Sequence, residues 1–154
     1  MLHAAGAETL VDVRRFPSSR RNPQFGQAAL AETLADAGIP YLHAVQLGGR
    51  RSGEPGEERF ACIREPAFRS YAAGMGTPEW QEALERALAE STPAFMCAET
   101  LWWRCHRKLI AELLVARRHR VDHLLRPGET QPHRLSAEAE AREGILYLCG
   151  SRVA

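Results

Sequence analysis

A chain of 154 residues, 45% hydrophobic and 25% charged, has the size of one folded domain that buries a core without staples. No run approaches the roughly 20 apolar residues of a membrane helix and no basic-then-apolar leader opens the chain, so a soluble, cytoplasmic protein without a membrane partner is expected. Four cysteines, Cys62, Cys97, Cys105 and Cys149, are too few and too irregularly spaced for a disulfide framework, and reduced thiols are expected. The net charge of +1 hides two arginine-rich stretches, residues 1–51 and 97–126, separated by a glutamate-rich one. If the two meet in space they form a basic face suited to an anionic ligand.

In chain order, residues 2–5 read as the last turn of a helix closed by Gly6. Residues 9–13 follow as a β-branched, buried strand. Asp12 stands at its end, before Arg14, Arg15 and a Pro-bounded loop that carries Arg20 and Arg21. Residues 24–37 read as a helix ended by Gly38, and 39–45 as a second strand. Strand, helix and strand in succession predict a parallel sheet, whose ligands sit at the carboxyl ends of the strands. Gly48, Gly49, Arg50 and Arg51 then form a glycine-bearing basic loop that allows close approach to an anion, without the Lys-Ser/Thr ending of a nucleotide phosphate loop.

Residues 68–75 predict a short helix. A second helix follows Thr77-Pro78, a cap and first-turn pair, with Trp80, Ala83, Leu84, Ala87 and Leu88 as its apolar stripe. Tyr71, Met75 and Trp80 suit either the core or a pocket wall. Residues 93–99 are apolar on both alternating sets, the pattern of a strand covered on both faces. With Thr100 as cap, a helix to about residue 118 then places Trp102, Cys105, His106, Leu109, Ile110, Leu113 and Leu114 on its inner side. Residues 120–125 predict a strand, 136–142 a helix and 145–148 an edge strand.

Taken together, Asp12 to Phe25 (DVRRFPSSRRNPQF), Leu47-Gly48-Gly49-Arg50-Arg51, Ala67 to Ala72, Thr77-Pro78-Glu79, Cys97-Ala98-Glu99, Cys105-His106-Arg107 and Pro132-His133-Arg134-Leu135 resemble the domain of unknown function 488 family. The resemblance implies a three-layer Rossmann-like α/β domain with a mostly parallel sheet, spanning 1–154 and of bacterial or archaeal type. It brings no established reaction. Members of that family usually begin with a further strand, so this chain is expected either to lack it or to start downstream of it; its absence would leave a sheet edge for a homodimer to cover, or a marginally stable protein.

The residues themselves point to an enzyme acting on a phosphorylated or nucleotide-like anion. Cys97, Glu99 and His106 are its candidate catalytic groups, a thiol, a carboxylate and an imidazole at a strand end beside arginines. Asp12, Arg14, Arg20, Arg50, Tyr71 and Arg107 are the candidate substrate-binding groups. Cys105, on the apolar stripe, is expected to pack. The alternatives are a nucleic-acid-binding module whose basic loops contact the phosphate backbone and a metal-binding protein. Against a metal, adjacent Cys105 and His106 diverge by about 100° on a helix, and their spacing matches no familiar zinc pattern. No metal ligand and no cofactor is therefore assigned.

Overall fold

The β-branched run after Gly6 forms β1 (Thr9–Asp12), in which every residue is buried. The structure, a computed structural model, describes residues 1–154 apart from Ser19 and Arg50. A 3-10 turn, Pro23–Phe25, leads into α1 (Gln27–Asp36), and β2 (Tyr41–His43) follows. After the acidic loop come α2 (Pro66–Gly74), α3 (Pro78–Leu88) and β3 (Pro93–Met96). The three strands form a parallel sheet in the order β2-β1-β3, with Asp12 level with His43 on one side and Met96 on the other.

Alternation along β1 sends neighbouring side chains to opposite faces. Val11 joins the larger core with Leu47, Phe60, Tyr71, Trp80 and Leu113. Leu10 joins a smaller cluster with Leu30, Leu34 and Ile39. Both faces of the central strand are covered, which is why its sequence is apolar without alternation. The α3 stripe packs as its spacing requires: Trp80, Ala83, Leu84 and Ala87 are all buried. The Thr77 hydroxyl accepts from the Trp80 amide at 3.4 Å and Pro78 opens the helix, the capping expected of that pair.

A 3-10 turn, Trp102–Arg104, precedes α4 (Arg107–Ala116), and the rest of the chain is antiparallel. One ribbon pairs β4 (Asp122–Arg126) with β5 (Glu129–Pro132). The other joins β6 (Ala139–Arg142), β7 (Ile145–Leu148) and β8 (Ser151–Arg152). Among the described residues the chain is thus α/β, with a parallel sheet of three strands and two small antiparallel ones rather than one mostly parallel sheet.

The helix expected over 136–142 is instead strand β6. Glu143 and Gly144, at φ 51° and 84°, make a two-residue turn with both φ angles positive, the geometry that closes a tight hairpin. Cys149 and Gly150, at φ 53° and 73°, repeat the device before β8.

The expectation of four reduced thiols is also overturned. Cys62 and Cys149 form a disulfide with Cα atoms 5.7 Å apart and a sequence separation of 87, which irregular spacing concealed. Cys97 and Cys105 are free. Closing so long a loop constrains the unfolded chain, an effect typically worth about 2–4 kcal/mol. Reduction is therefore expected to lower the urea midpoint, and alkylation of the unreduced protein followed by mass analysis should find two reactive thiols; four would contradict the pairing. Among the described residues no helix is long and apolar enough to cross a membrane.

Candidate functional site

Two constellations stand at the carboxyl end of the parallel sheet. The first grows from β1. Asp12 is fully buried, and a buried carboxylate needs charge and donors around it. Arg14, two residues on, supplies both: its Nε donates to Oδ1 at 2.9 Å and its Nη2 to Oδ2 at 2.5 Å. The Arg14 amide and the Tyr41 hydroxyl add bonds at 3.0 and 2.6 Å. Burial pushes the Asp12 carboxyl up, but the bonds from Arg14 and Tyr41 outweigh it and hold it below the usual range. Burial and the bond to Asp12 raise the Tyr41 phenol. Arg14 Nη1 donates to the Phe25 carbonyl at 2.7 Å, so Nε, Nη1 and Nη2 all serve the protein. Arg14 is a pillar that pins the 14–25 loop to β1.

The second constellation gathers around His106. Cys97 follows directly on β3. Cys105 is extended, at φ −125° and ψ 150°, and His106 is the N-cap of α4, whose first residue is Arg107. The helix thus begins well after Thr100, and Cys105 lies before it. The 100° divergence expected of two helical neighbours does not apply, and the backbone bends so that both side chains meet. Cys105 Sγ lies 3.6 Å from His106 Nδ1 and Cys97 Sγ lies 3.9 Å from the same atom. All three atoms are within 4.8 Å of one another.

The surroundings hold this arrangement in place. The His106 ring packs on Tyr71 with centroids 4.9 Å apart. On another side a Cβ added to Gly49 would stand 2.7 Å from His106 Nδ1, a contact that only glycine avoids. Tyr71 itself is buried, donating to the Leu47 carbonyl at 2.7 Å and accepting from Trp80 Nε1 at 3.2 Å. It braces the imidazole from behind rather than facing a ligand. Arg107 donates from its amide and from Nε to Cys105 Sγ, each at 3.5 Å, and from Nη2 to the Glu99 carbonyl.

The electrostatics separate the two thiols. A hydrogen bond from Cys97 lowers Cys105 to about 6, and the Arg107 donors add to it against the opposing effect of burial. Giving that hydrogen bond, and burial, push Cys97 up to about 12. Thiolate character is thus favoured on Cys105 over Cys97.

The predicted site residues divide accordingly. Cys97, His106 and Arg107 come together, with Tyr71 behind them. Asp12 and Arg14 pair with each other at the end of the neighbouring strand. Glu99 is exposed and contributes only its main-chain carbonyl, Arg20 is exposed, and Arg50 lies outside the described residues. Sequence reasoning passed over Cys105, which is buried as expected of packing yet is the thiol held down rather than up. The signal was its neighbour Arg107, whose amide and guanidinium both reach the sulfur. No curated protein and no solved structure matches the chain. A family model described as Domain of unknown function DUF488 matches residues 1–114, a span that holds both constellations, and the chain belongs to that family.

Proposed function

We infer that the chain is a metalloprotein in which Cys97, Cys105 and His106 bind one zinc-class divalent ion, within a single Rossmann-like α/β domain. The mutual spacing of the three donors carries this reading. Zinc with bonds of about 2.3 Å to sulfur and about 2.0 Å to nitrogen sets tetrahedral S–N separations of about 3.5 Å; those here are 3.6 and 3.9 Å. Two thiolates and an imidazole are the soft and borderline donors zinc prefers. The N–H bonds from Arg107 to Cys105 are outer-shell contacts of the kind that orient a metal's ligands.

Three protein ligands leave a fourth position for water or substrate, the arrangement of catalytic rather than structural zinc. The ion would supply Lewis-acid polarisation or an activated water. Beside the cationic Arg107 and the amino end of α4, the substrate class that suits the site is anionic, phosphorylated or nucleotide-like. The nucleic-acid alternative loses Arg14, whose donors are spent on Asp12 and Phe25.

Calorimetric titration of metal-free, thiol-reduced protein with Zn²⁺ is the test. One equivalent should bind, releasing the Cys97 proton and shielding both free thiols from a maleimide. Absence of a stoichiometric site, or full thiol reactivity at saturation, would refute the reading.

A further inference from the structure

Cys97 and Cys105 have a second chemistry open to them besides metal binding. Their sulfurs lie within 4.8 Å of each other, and neither residue sits inside a regular element. Cys97 directly follows β3, and Cys105 is extended between the 3-10 turn Trp102–Arg104 and the start of α4. Sulfur atoms bond at about 2.0 Å. Residues 98–104, which separate the two cysteines, hold no helix or strand beyond that one turn, so side-chain rotation and a small shift of the loop close the remaining distance.

Each of these thiols has the other as its one free cysteine partner, because Cys62 and Cys149 are already bonded together. Access is one-sided. Cys97 is partly exposed and Cys105 is buried, so a small reagent reaches the pair from the Cys97 side. A thiol oxidised beside a second thiol condenses with it to a disulfide and is diverted from the irreversible acids.

We propose that Cys97 and Cys105 form a redox-modification site, which a hydroperoxide converts to an intramolecular disulfide that no longer holds a metal. In the first step one sulfur, as thiolate, attacks the terminal oxygen of the hydroperoxide. A sulfur–oxygen bond forms, the oxygen–oxygen bond breaks, and the leaving alkoxide or hydroxide takes a proton and departs as alcohol or water. In the second step the other sulfur attacks the sulfenic sulfur as it sheds its own proton. The sulfur–sulfur bond forms, the sulfur–oxygen bond breaks, and the departing hydroxide takes that proton and leaves as water. The two sulfurs give up two electrons and the peroxide gains them. A disulfide contains no thiolate, and the thiolate is the metal ligand, so oxidation empties the site. That last consequence rests on the zinc reading above; formation of the disulfide does not.

Peptide mapping tests the link. Trypsin cuts after Arg104, so Cys97 and Cys105 leave on separate peptides, which only a disulfide joins. The whole protein, with Cys62–Cys149 intact and metal removed by EDTA, is treated with a slight excess of hydrogen peroxide, blocked with a maleimide and digested. The expected product is the Cys97 peptide joined to Cys105-His106-Arg107, lost again when a dithiol is added before blocking. In Cys97→Ser and Cys105→Ser the link is absent and dimedone labels the remaining sulfur. No joined peptide from the wild type, a link to Cys62 or Cys149, or a disulfide between two molecules would overturn the proposal. With free Zn²⁺ at about ten times its Kd, roughly a tenth of the sites are empty and linking should slow roughly tenfold; the linked protein should take up no zinc in a calorimetric titration. Zinc uptake by the linked protein equal to that of the reduced protein would overturn the regulatory half. Failure of the zinc reading shows differently: the reduced protein binds no zinc, and the link forms at the same rate with and without it.

Discussion

Cys105→Ser abolishes tight zinc binding. Serine keeps nearly the size of the side chain and replaces the thiol with a neutral hydroxyl, so Arg107 faces a weaker, uncharged acceptor and the ion loses a soft donor. The drop in affinity should exceed the roughly 10- to 100-fold that follows loss of an outer-shell partner. Cys97→Ser is expected to bring a comparable loss, because a three-donor set has no spare member. The two variants differ in the metal-free protein. In Cys97→Ser the hydrogen bond that chiefly lowers Cys105 is changed, whereas in Cys105→Ser the thiol left behind is the raised one. Competition against a zinc-sensitive dye measures the affinities, and circular dichroism confirms that folding is intact. Undiminished zinc affinity in either variant would remove that cysteine from the ligand set.

Arg14→Ala should cost about 3–5 kcal/mol, since removing one partner of a buried ion pair strands the other. Asp12 is fully buried and accepts five hydrogen bonds from Arg14 or Tyr41; without the guanidinium the carboxylate keeps the Arg14 amide and the Tyr41 hydroxyl. The Phe25 carbonyl loses its donor as well, so the 14–25 loop should loosen along with the strand end. In a domain of this size the loss corresponds to a melting point lower by roughly 10 °C. Arg14→Lys keeps charge but not the fork, and should recover only part of it.

The same pair governs the acid limb. The folded Asp12 carboxyl is depressed, so its contribution is present above the unfolded carboxyl value of about 3.9 and disappears as pH falls through the lower, folded value. Urea denaturation of wild type and Arg14→Ala at pH 7 and across the acid range should therefore show two stability curves that converge toward low pH. A variant as stable as wild type at pH 7 would contradict the role given to the pair.

Much of the frame is legible in the residues, and the reasons are local. β1, α3 and β3 announce themselves because each is a short apolar unit with a clear stop or cap: Asp12 ends the first, Thr77-Pro78 opens the second, and Cys97 closes the third. Placing the site at the carboxyl ends of parallel strands follows from that order alone. The errors arise where one pattern serves two geometries. Trp102, Cys105 and His106 have helical spacing, yet a 3-10 turn and one extended residue stand there, and a ligand set looks impossible on a helix that has not begun. Residues 139–142 alternate Ala-Glu-Ala-Arg, and the Glu143-Gly144 turn decides for a strand. Arg14 reads as a free anion ligand because sequence does not reveal that the aspartate two residues before it is buried. The pairing of Cys62 with Cys149 is likewise set by tertiary contact across 87 residues, beyond the reach of spacing rules.

X-ray absorption at the zinc edge of the loaded protein tests the central claim most directly. The account predicts two sulfur scatterers at about 2.3 Å and at least one imidazole nitrogen at about 2.0–2.1 Å, with one sulfur lost in Cys97→Ser and one in Cys105→Ser. A first shell of nitrogen and oxygen alone, or a sulfur count unchanged in both variants, would contradict it.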